Sequence, residues 1–263
     1  MRRSTRRAFT LMELMTVLAI LLILAAILIP VFARTKENGY KAVAMTQARQ
    51  LGAAILTYTD GSDGRLLPST NYGAPATSPG RMWTTVLKSQ IKSEQVFIAP
   101  GSKGKFPGKW EDRGWGSIGY NSSTALDKSQ GCTDDNQVTG CLAFKTVAQF
   151  AKQEQSSNIA LFALTPEGEV KDKYLGYEFS PYNGTPDAET PELSPPLTSD
   201  RDLVKELQAT LPAELIKPIF ARYLATGSDD GQTFVIFGDS HAKSYNAKQI
   251  NDSTTTKIVW RLR

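Results

Sequence analysis

Few residues in this chain of 263 have the type and spacing that catalysis requires. His241 is the only histidine, and Asp239 and Ser240 stand directly before it. These three could supply an acid, a nucleophile and a base, but neighbours in one turn do not by themselves take up that geometry. We interpret His241 as a turn residue with a local hydrogen bond and predict that the chain is not an enzyme.

Two other groups of residues could form a bond or bind a metal ion. Cys132 and Cys141 enclose eight residues rich in turn formers, and on an oxidising face such a pair favours a structural disulfide. Two thiols and one histidine make a poor zinc site. Asp60 and Asp63 could offer oxygen ligands to calcium, although a simple turn also explains them. We therefore predict no metal site and no cofactor.

A single carboxylate, that of Glu13, stands at the start of the most apolar segment. Residues 14–33 contain no charge, and at about 1.5 Å per residue they span a roughly 30 Å hydrocarbon layer. Four arginines in residues 1–8 account for the formal net charge of +4. They place the N-terminus in the cytoplasm and the rest of the chain outside. Since this excess lies in a terminal tail, we predict no nucleic-acid binding.

Three interpretations of the apolar segment are open at this point. A cleavable secretory signal is one, with small-residue spacing at Val31-Phe32-Ala33, although the segment is long for such a signal. A plain membrane anchor is the second, in which Thr10 and Glu13 form a capping box at the helix start. The third interpretation rests on a resemblance.

The stretch Ala8-Phe9-Thr10-Leu11-Met12-Glu13 follows an arginine-rich leader and precedes an apolar helix. It resembles the class III signal of type IV pilins and type II secretion pseudopilins. The resemblance implies that a prepilin peptidase/methyltransferase cuts between Ala8 and Phe9 on the cytoplasmic side and methylates the new amino group of Phe9. Glycine is the usual residue before the cut, and alanine, which is also small, is expected to slow cleavage without preventing it. The resemblance covers about the first sixty residues.

The same resemblance assigns assembly roles within the helix. It implies that Glu13 pairs with the amino terminus of a neighbouring subunit, here Phe9. Pro30 corresponds to a proline that many such pilins carry, where the missing amide hydrogen bond is expected to kink or locally melt the helix. The implied partners are neighbouring pilin-like subunits and an inner-membrane assembly platform with a separate ATPase, because this chain has no P-loop.

The predicted fold class is α+β, with a long N-terminal transmembrane helix packed on a head that contains an antiparallel sheet. We expect a leader at residues 1–8, a transmembrane and assembly helix at 9–33, the soluble half of a helical spine at 34–60, and the head at 61–263. A proline-rich insertion is expected at about 181–200. Within the head we predict strands at 158–164 and 254–260, helices at about 203–211 and 215–224, and a hairpin of 233–237 with 242–245. The hairpin turn resembles the Phe-x-Asp-Gly-His turn of prepilin-like families, with Ser240 in place of glycine.

Two functions follow as hypotheses. The first is a structural subunit that joins or primes a type IV pilus or secretion pseudopilus from the bacterial inner membrane. The alternative is a membrane-anchored extracytoplasmic protein whose head binds a glycan or surface ligand. Aromatic residues among the glycines of residues 100–121 could stack on a sugar, or could simply pack on the head: Trp110, Trp115 and Tyr120.

Overall fold

The computed structural model describes residues 9–62, 64, 66–67, 69–71, 74–122, 156–169, 176–179, 195–207, 217–252 and 256–260. The predicted disulfide of Cys132 with Cys141 lies outside the described residues, and so do Ala8, Asp63 and most of the predicted proline-rich insertion.

One helix dominates the N-terminal part of the chain. Helix α1 runs from Leu11 to Asp60, a length of about 75 Å, and includes Pro30 without a break in the helix. It ends at Gly61, which caps it by donating its N–H to the carbonyl groups of Thr57 and Thr59. The predicted long N-terminal helix is confirmed.

The head contains a five-stranded sheet and a separate two-stranded one. The strands of the larger sheet are β1 (Ile118–Asn121), β2 (Ala160–Leu164), β3 (Glu178–Phe179), β6 (Gln232–Phe237) and β7 (Ala242–Asn246). Their order in the sheet is β3-β1-β2-β6-β7. The smaller sheet pairs β4 (Thr198–Ser199) with β5 (Ile219–Phe220) in parallel. The described residues also contain six short helical segments: α2 (Trp83–Leu87), 3-10 helices at Glu94–Phe97, Trp110–Trp115 and Ser156–Asn158, α3 (Leu203–Leu207) and α4 (Ala247–Asn251).

The α+β class is confirmed, but the larger sheet is mixed rather than antiparallel. Three of its pairs are antiparallel, whereas β3 runs parallel to β1, with Tyr120 opposite Glu178. Because β2 is antiparallel to β1, it ends at the edge of the sheet where β1 begins, with Leu164 opposite Ile118. A following strand that runs away from this same edge on the other side of β1 is parallel to β1. A strand of two residues has no alternation of apolar and polar residues, so the sequence gives no signal for β3.

The sheet has two apolar cores, one on each face. Phe162, Phe234 and Ile236 belong to the core that also contains the C-terminal half of α1. Val235 and Phe237 belong to the second core, on the opposite face. All five residues of β2 are buried, which is typical of a strand with both faces covered, and this strand and the hairpin of β6 with β7 are confirmed predictions.

Two predicted elements of the head are wrong in type. Part of the predicted helix at 215–224 is strand β5, since Pro218 cannot donate a backbone hydrogen bond and disfavours helix at the residue before it. The predicted strand at 254–260 is reduced to a single parallel bridge of Val259 with Ile159. Residues 258–260 are all buried. Ile258 and Trp260 belong to the second core and Val259 to the first, so the segment alternates between two cores rather than between core and solvent. Helix α3 confirms the predicted helix through Leu207.

Candidate functional site

The start of α1 is a complete capping box. The backbone N–H of Glu13 donates to Thr10 Oγ1 over 3.2 Å, and Glu13 Oε2 accepts from the Thr10 backbone N–H over 2.9 Å. The Thr10 hydroxyl also donates to Glu13 Oε2 over 2.8 Å. The sequence predicts this box from the Thr-x-x-Glu spacing, and the structure confirms it.

The box uses only one oxygen of the Glu13 carboxylate. Oε2 accepts both hydrogen bonds from Thr10, while Oε1 accepts none within the described part of the chain. Thr10 thus fixes the orientation of the carboxylate and leaves its second oxygen available to another donor. Capping and pairing with a cation are compatible functions of the same side chain.

The first part of α1 has an apolar surface that the chain itself does not cover. Phe9 is 83% exposed, and the large apolar side chains up to Phe32 are also exposed. The hydroxyl groups of Thr16 and Thr35 donate to the carbonyl groups of Glu13 and Val31, so neither is left unsatisfied in an apolar environment. Of the described residues, α1 is the one helix long and apolar enough to cross a membrane. The kink at Pro30 stays a prediction.

The second part of α1 is fixed to the head by polar contacts as well as by apolar packing. Glu37 Oε2 accepts the backbone N–H of Leu224 over 2.9 Å, where Leu224 has a left-handed backbone with φ of 56°. Gln47 Nε2 donates to the carbonyl oxygen of Gln95 over 2.7 Å. Sequence analysis missed both contacts, because nothing local to Glu37 or Gln47 indicates a partner so distant in the chain.

A close approach of the hairpin turn to α1 occurs at Gly52. A Cβ atom at this position would lie 2.7 Å from the backbone oxygen of Ser240, closer than real contacts allow. Glycine weakens a helix, so its place here is explained by the space that the turn needs. The turn and the spine are therefore in direct backbone contact.

His241 has the local role that its position in the turn predicts. Asp239 Oδ1 accepts the backbone N–H of His241 over 3.1 Å and lies 2.5 Å from its Nδ1. The imidazole stacks on Phe237, with 4.3 Å between ring centroids. Ser240 has φ of 70°, the left-handed region in which glycine is favoured, which accounts for the glycine of the similar turns. Within the described residues, the imidazole contacts Asp239 and Phe237 and makes no hydrogen bond with the Ser240 hydroxyl, so its observed contacts are local to the turn.

A buried carboxylate that sequence analysis missed organises the loop before β6. Asp200 accepts backbone N–H groups from Thr226, Gly227, Asp229 and Gly231 at 3.0 to 3.3 Å. Burial raises the pKa of Asp200, but these four hydrogen bonds outweigh that effect and hold the pKa below its ordinary value. The carboxylate is consequently a structural element of the head.

The aromatic residues of the glycine-rich segment pack on the head. Tyr120 is fully buried in β1. The ring of Trp110 lies against the guanidinium groups of Arg81 and Arg113, at 4.6 and 4.2 Å from its centroid. Lys105 covers the ring of Trp115 at 4.6 Å. These contacts agree with the packing interpretation of the segment.

Within the described ranges, no group of three or more histidine, cysteine or acidic side chains could hold a metal ion. Asp60 is described, but its proposed calcium partner Asp63 is not.

Comparison with known proteins places a motif at the N-terminus. Residues 3–29 match the family model described as the prokaryotic N-terminal methylation motif. The match ends within α1 and covers a small part of the chain. Together with the long apolar helix that follows, it fits a prepilin-like protein, and the motif implies processing by a prepilin peptidase. Comparisons with curated proteins and with solved structures gave no match.

Proposed function

We propose that this chain is a structural subunit that is cut between Ala8 and Phe9, methylated at the Phe9 amino group, and added to a type IV pilus or a secretion pseudopilus. The observation that carries the proposal is the methylation motif at residues 3–29, which includes most of an apolar helix surface that the head does not cover. Such a surface must be buried in lipid before assembly and against other subunits afterwards.

Glu13 sets the register of addition in this proposal. A carboxylate within the hydrocarbon costs about 2.5 to 3.5 kcal/mol unless it is paired. The methylated amine of Phe9 on a neighbouring subunit is a cation, and Glu13 Oε1 is available to accept from it. A misplaced subunit would leave both charges unpaired in an apolar environment. Only cleavage after Ala8 creates that amine, so processing controls assembly.

The proposal also implies a membrane topology and a set of partners for the chain. The arginines of the leader remain in the cytoplasm, residues 9–33 cross the inner membrane once, and the head lies outside. The required partners are the prepilin peptidase/methyltransferase, neighbouring subunits that contact this one through α1, and an assembly platform powered by a separate ATPase. The size of the head favours a minor or specialised subunit, which quantitative proteomics of sheared filaments would find far below the main subunit.

The test is intact-mass and N-terminal peptide analysis of the full chain from a host with a prepilin peptidase and from one without it. We expect a chain that starts at N-methylated Phe9 in the first host and an uncut chain in the second. A chain that starts at Arg34 in both hosts would indicate ordinary secretion. An uncut Met1 terminus in both would indicate a plain anchor, and either result would overturn the proposal.

A further inference from the structure

A cavity of about 340 Å³ opens beside the hairpin of β6 and β7. Its walls come from three separate segments, the residues before β2, the hairpin, and the C-terminal residues 256–258. The side chains that line it include Asn158, Phe237, His241, Lys243, Tyr245 and Lys257. The volume falls in the range of sites that hold small organic ligands, about 300 to 1,000 Å³.

The cavity lies on the face of the sheet that points away from α1. Lys243 pairs with Val235 and Tyr245 pairs with Thr233 across the two strands, so each pair shares a face. Val235 and Phe237 belong to the core opposite the one that contains α1. A ligand could therefore enter while α1 is covered by other subunits.

The charged side chains among the described residues that line the cavity are lysines. Lys243 and Lys257 reach it from different segments, both are exposed, and neither forms an ion pair with a residue in the described ranges. Asp239 is held by His241 and does not line the cavity. Two positive charges at one concave surface focus the electrostatic field there and attract an anion.

The remaining walls favour an anion that also carries a ring and hydroxyl groups. The Asn158 amide offers both donors and an acceptor, and Tyr245 contributes a half-buried ring, with Lys243 Nζ 5.0 Å from its centroid. The imidazole of His241 stacks flat on the buried ring of Phe237 at another side of the cavity. A simple inorganic anion would satisfy the lysines but would leave most of the volume and these polar groups unused.

From this arrangement we infer that the cavity binds an acidic saccharide, with a uronate carboxylate between Lys243 and Lys257 and the sugar ring against Tyr245 and Asn158. This site is distinct from the assembly segment at Phe9 and Glu13 and does not depend on it. The head of the subunit would thus bind a carboxylated polysaccharide on the side opposite the spine.

The experiment is calorimetric titration of the full chain in detergent micelles with a galacturonate oligomer, a neutral maltose oligomer and sodium sulfate. We expect saturable binding of the galacturonate oligomer to one site per chain, weakened by added salt because the charges are exposed. The neutral oligomer and sulfate should bind at least about tenfold more weakly, as each lacks one half of the contacts.

The variant Lys243→Gln/Lys257→Gln removes two charges from the cavity, and Lys92→Gln/Lys103→Gln removes two from exposed positions that do not line it. The first should weaken galacturonate binding by about tenfold or more, and the second by less than about twofold. Equal losses in the two variants would indicate non-specific attraction. That result, the absence of saturable galacturonate binding, or equally tight binding of sulfate or the neutral oligomer would overturn the inference.

Discussion

The two halves of α1 belong to one continuous helix, but the rest of the chain covers apolar side chains only in the C-terminal half. In the C-terminal half, Ala44, Ala48 and Leu51 are fully buried in the core that they share with the head of the same chain. In the N-terminal half, residues such as Leu22 are 70% exposed and have no cover from the head. Apolar composition alone therefore does not distinguish a core helix from an assembly helix. The distinction comes from whether the rest of the chain folds against it.

The largest expected effect is that of a substitution at Glu13, at the start of α1, which should change assembly without changing the stability of the head. Glu13→Gln removes the charge but keeps an oxygen that can complete the capping box. The neighbouring Phe9 amine then loses its carboxylate in an apolar environment, which costs about 3 kcal/mol and should reduce incorporation into filaments by roughly a hundredfold. Incorporation is measured by proteomics of sheared filaments, and head stability by denaturant unfolding should not change.

Thr10→Ala is the matched control for that variant. It removes the cap, at about 1 kcal/mol, but keeps the Glu13 charge, so filaments should still form. Normal incorporation of Glu13→Gln together with loss in Thr10→Ala would mean that capping, and not charge pairing, is the role of Glu13.

The next effect compares the two halves of α1 by making the same leucine-to-alanine substitution in each. Leu51→Ala leaves a cavity in the core and should lower the free energy of unfolding of the head by about 2 to 5 kcal/mol. Leu22→Ala removes the same atoms from an exposed position and should change head stability by less than about 0.5 kcal/mol. Denaturant titration of both variants in detergent gives the comparison. Similar losses would show that the N-terminal half is also part of the folded head.

A smaller effect tests the contact of the turn with the spine. In Gly52→Ala the new Cβ meets the backbone oxygen of Ser240, which should destabilise the head by about 1 to 3 kcal/mol. At Gly39 no atom lies within 4 Å of a built Cβ, so Gly39→Ala should stabilise the helix by about 0.5 to 1 kcal/mol. Thermal unfolding of the two variants should shift in opposite directions. A stabilising Gly52→Ala would mean that the turn does not hold this position in solution.

The smallest effect is a pH dependence that belongs to the head alone. The pKa of Asp200 is lowered in the folded state, so its contribution to stability is complete well above the ordinary value of about 3.9 and is lost as the pH falls below that value. Asp200→Asn should flatten this acid limb of the stability curve. Tryptophan fluorescence against pH measures it, and an unchanged acid limb in the variant would assign the dependence to other carboxylates.

The sequence predicts those elements whose signal is local. Helix α1, its capping box, β2 and the hairpin of β6 with β7 each depend on periodicity or on residues a few positions apart, and all four are confirmed. The two-residue strands β3, β4 and β5 have no period to detect. Their existence depends on partners that only the folded chain brings alongside.

The contacts of the candidate site can also be divided into those with a local sequence signal and those without one. The motif around Phe9 and Glu13 is contiguous and could be recognised from the sequence. The hydrogen bond from Leu224 to Glu37 joins residues 187 positions apart, and that of Asp200 to the loop before β6 depends on left-handed backbone at Gly227 and Asp229. Such contacts depend on the tertiary fold, so no local sequence pattern predicts them.

The hydrogen bond between Glu37 and Leu224 has a mechanical consequence. It attaches the head to the spine only four residues beyond Ala33, the last residue of the uncharged segment, so the head has no loose stalk there. An α-helix turns by about 100° for each residue along its axis. Suppose that a spine in the proposed filament shifts by one residue along its axis while its side chains keep the same contacts with neighbouring helices. The whole head would then rotate by about 100° about the helix axis. In the proposed filament, the direction of the head about the helix axis would therefore depend on the axial position of the spine.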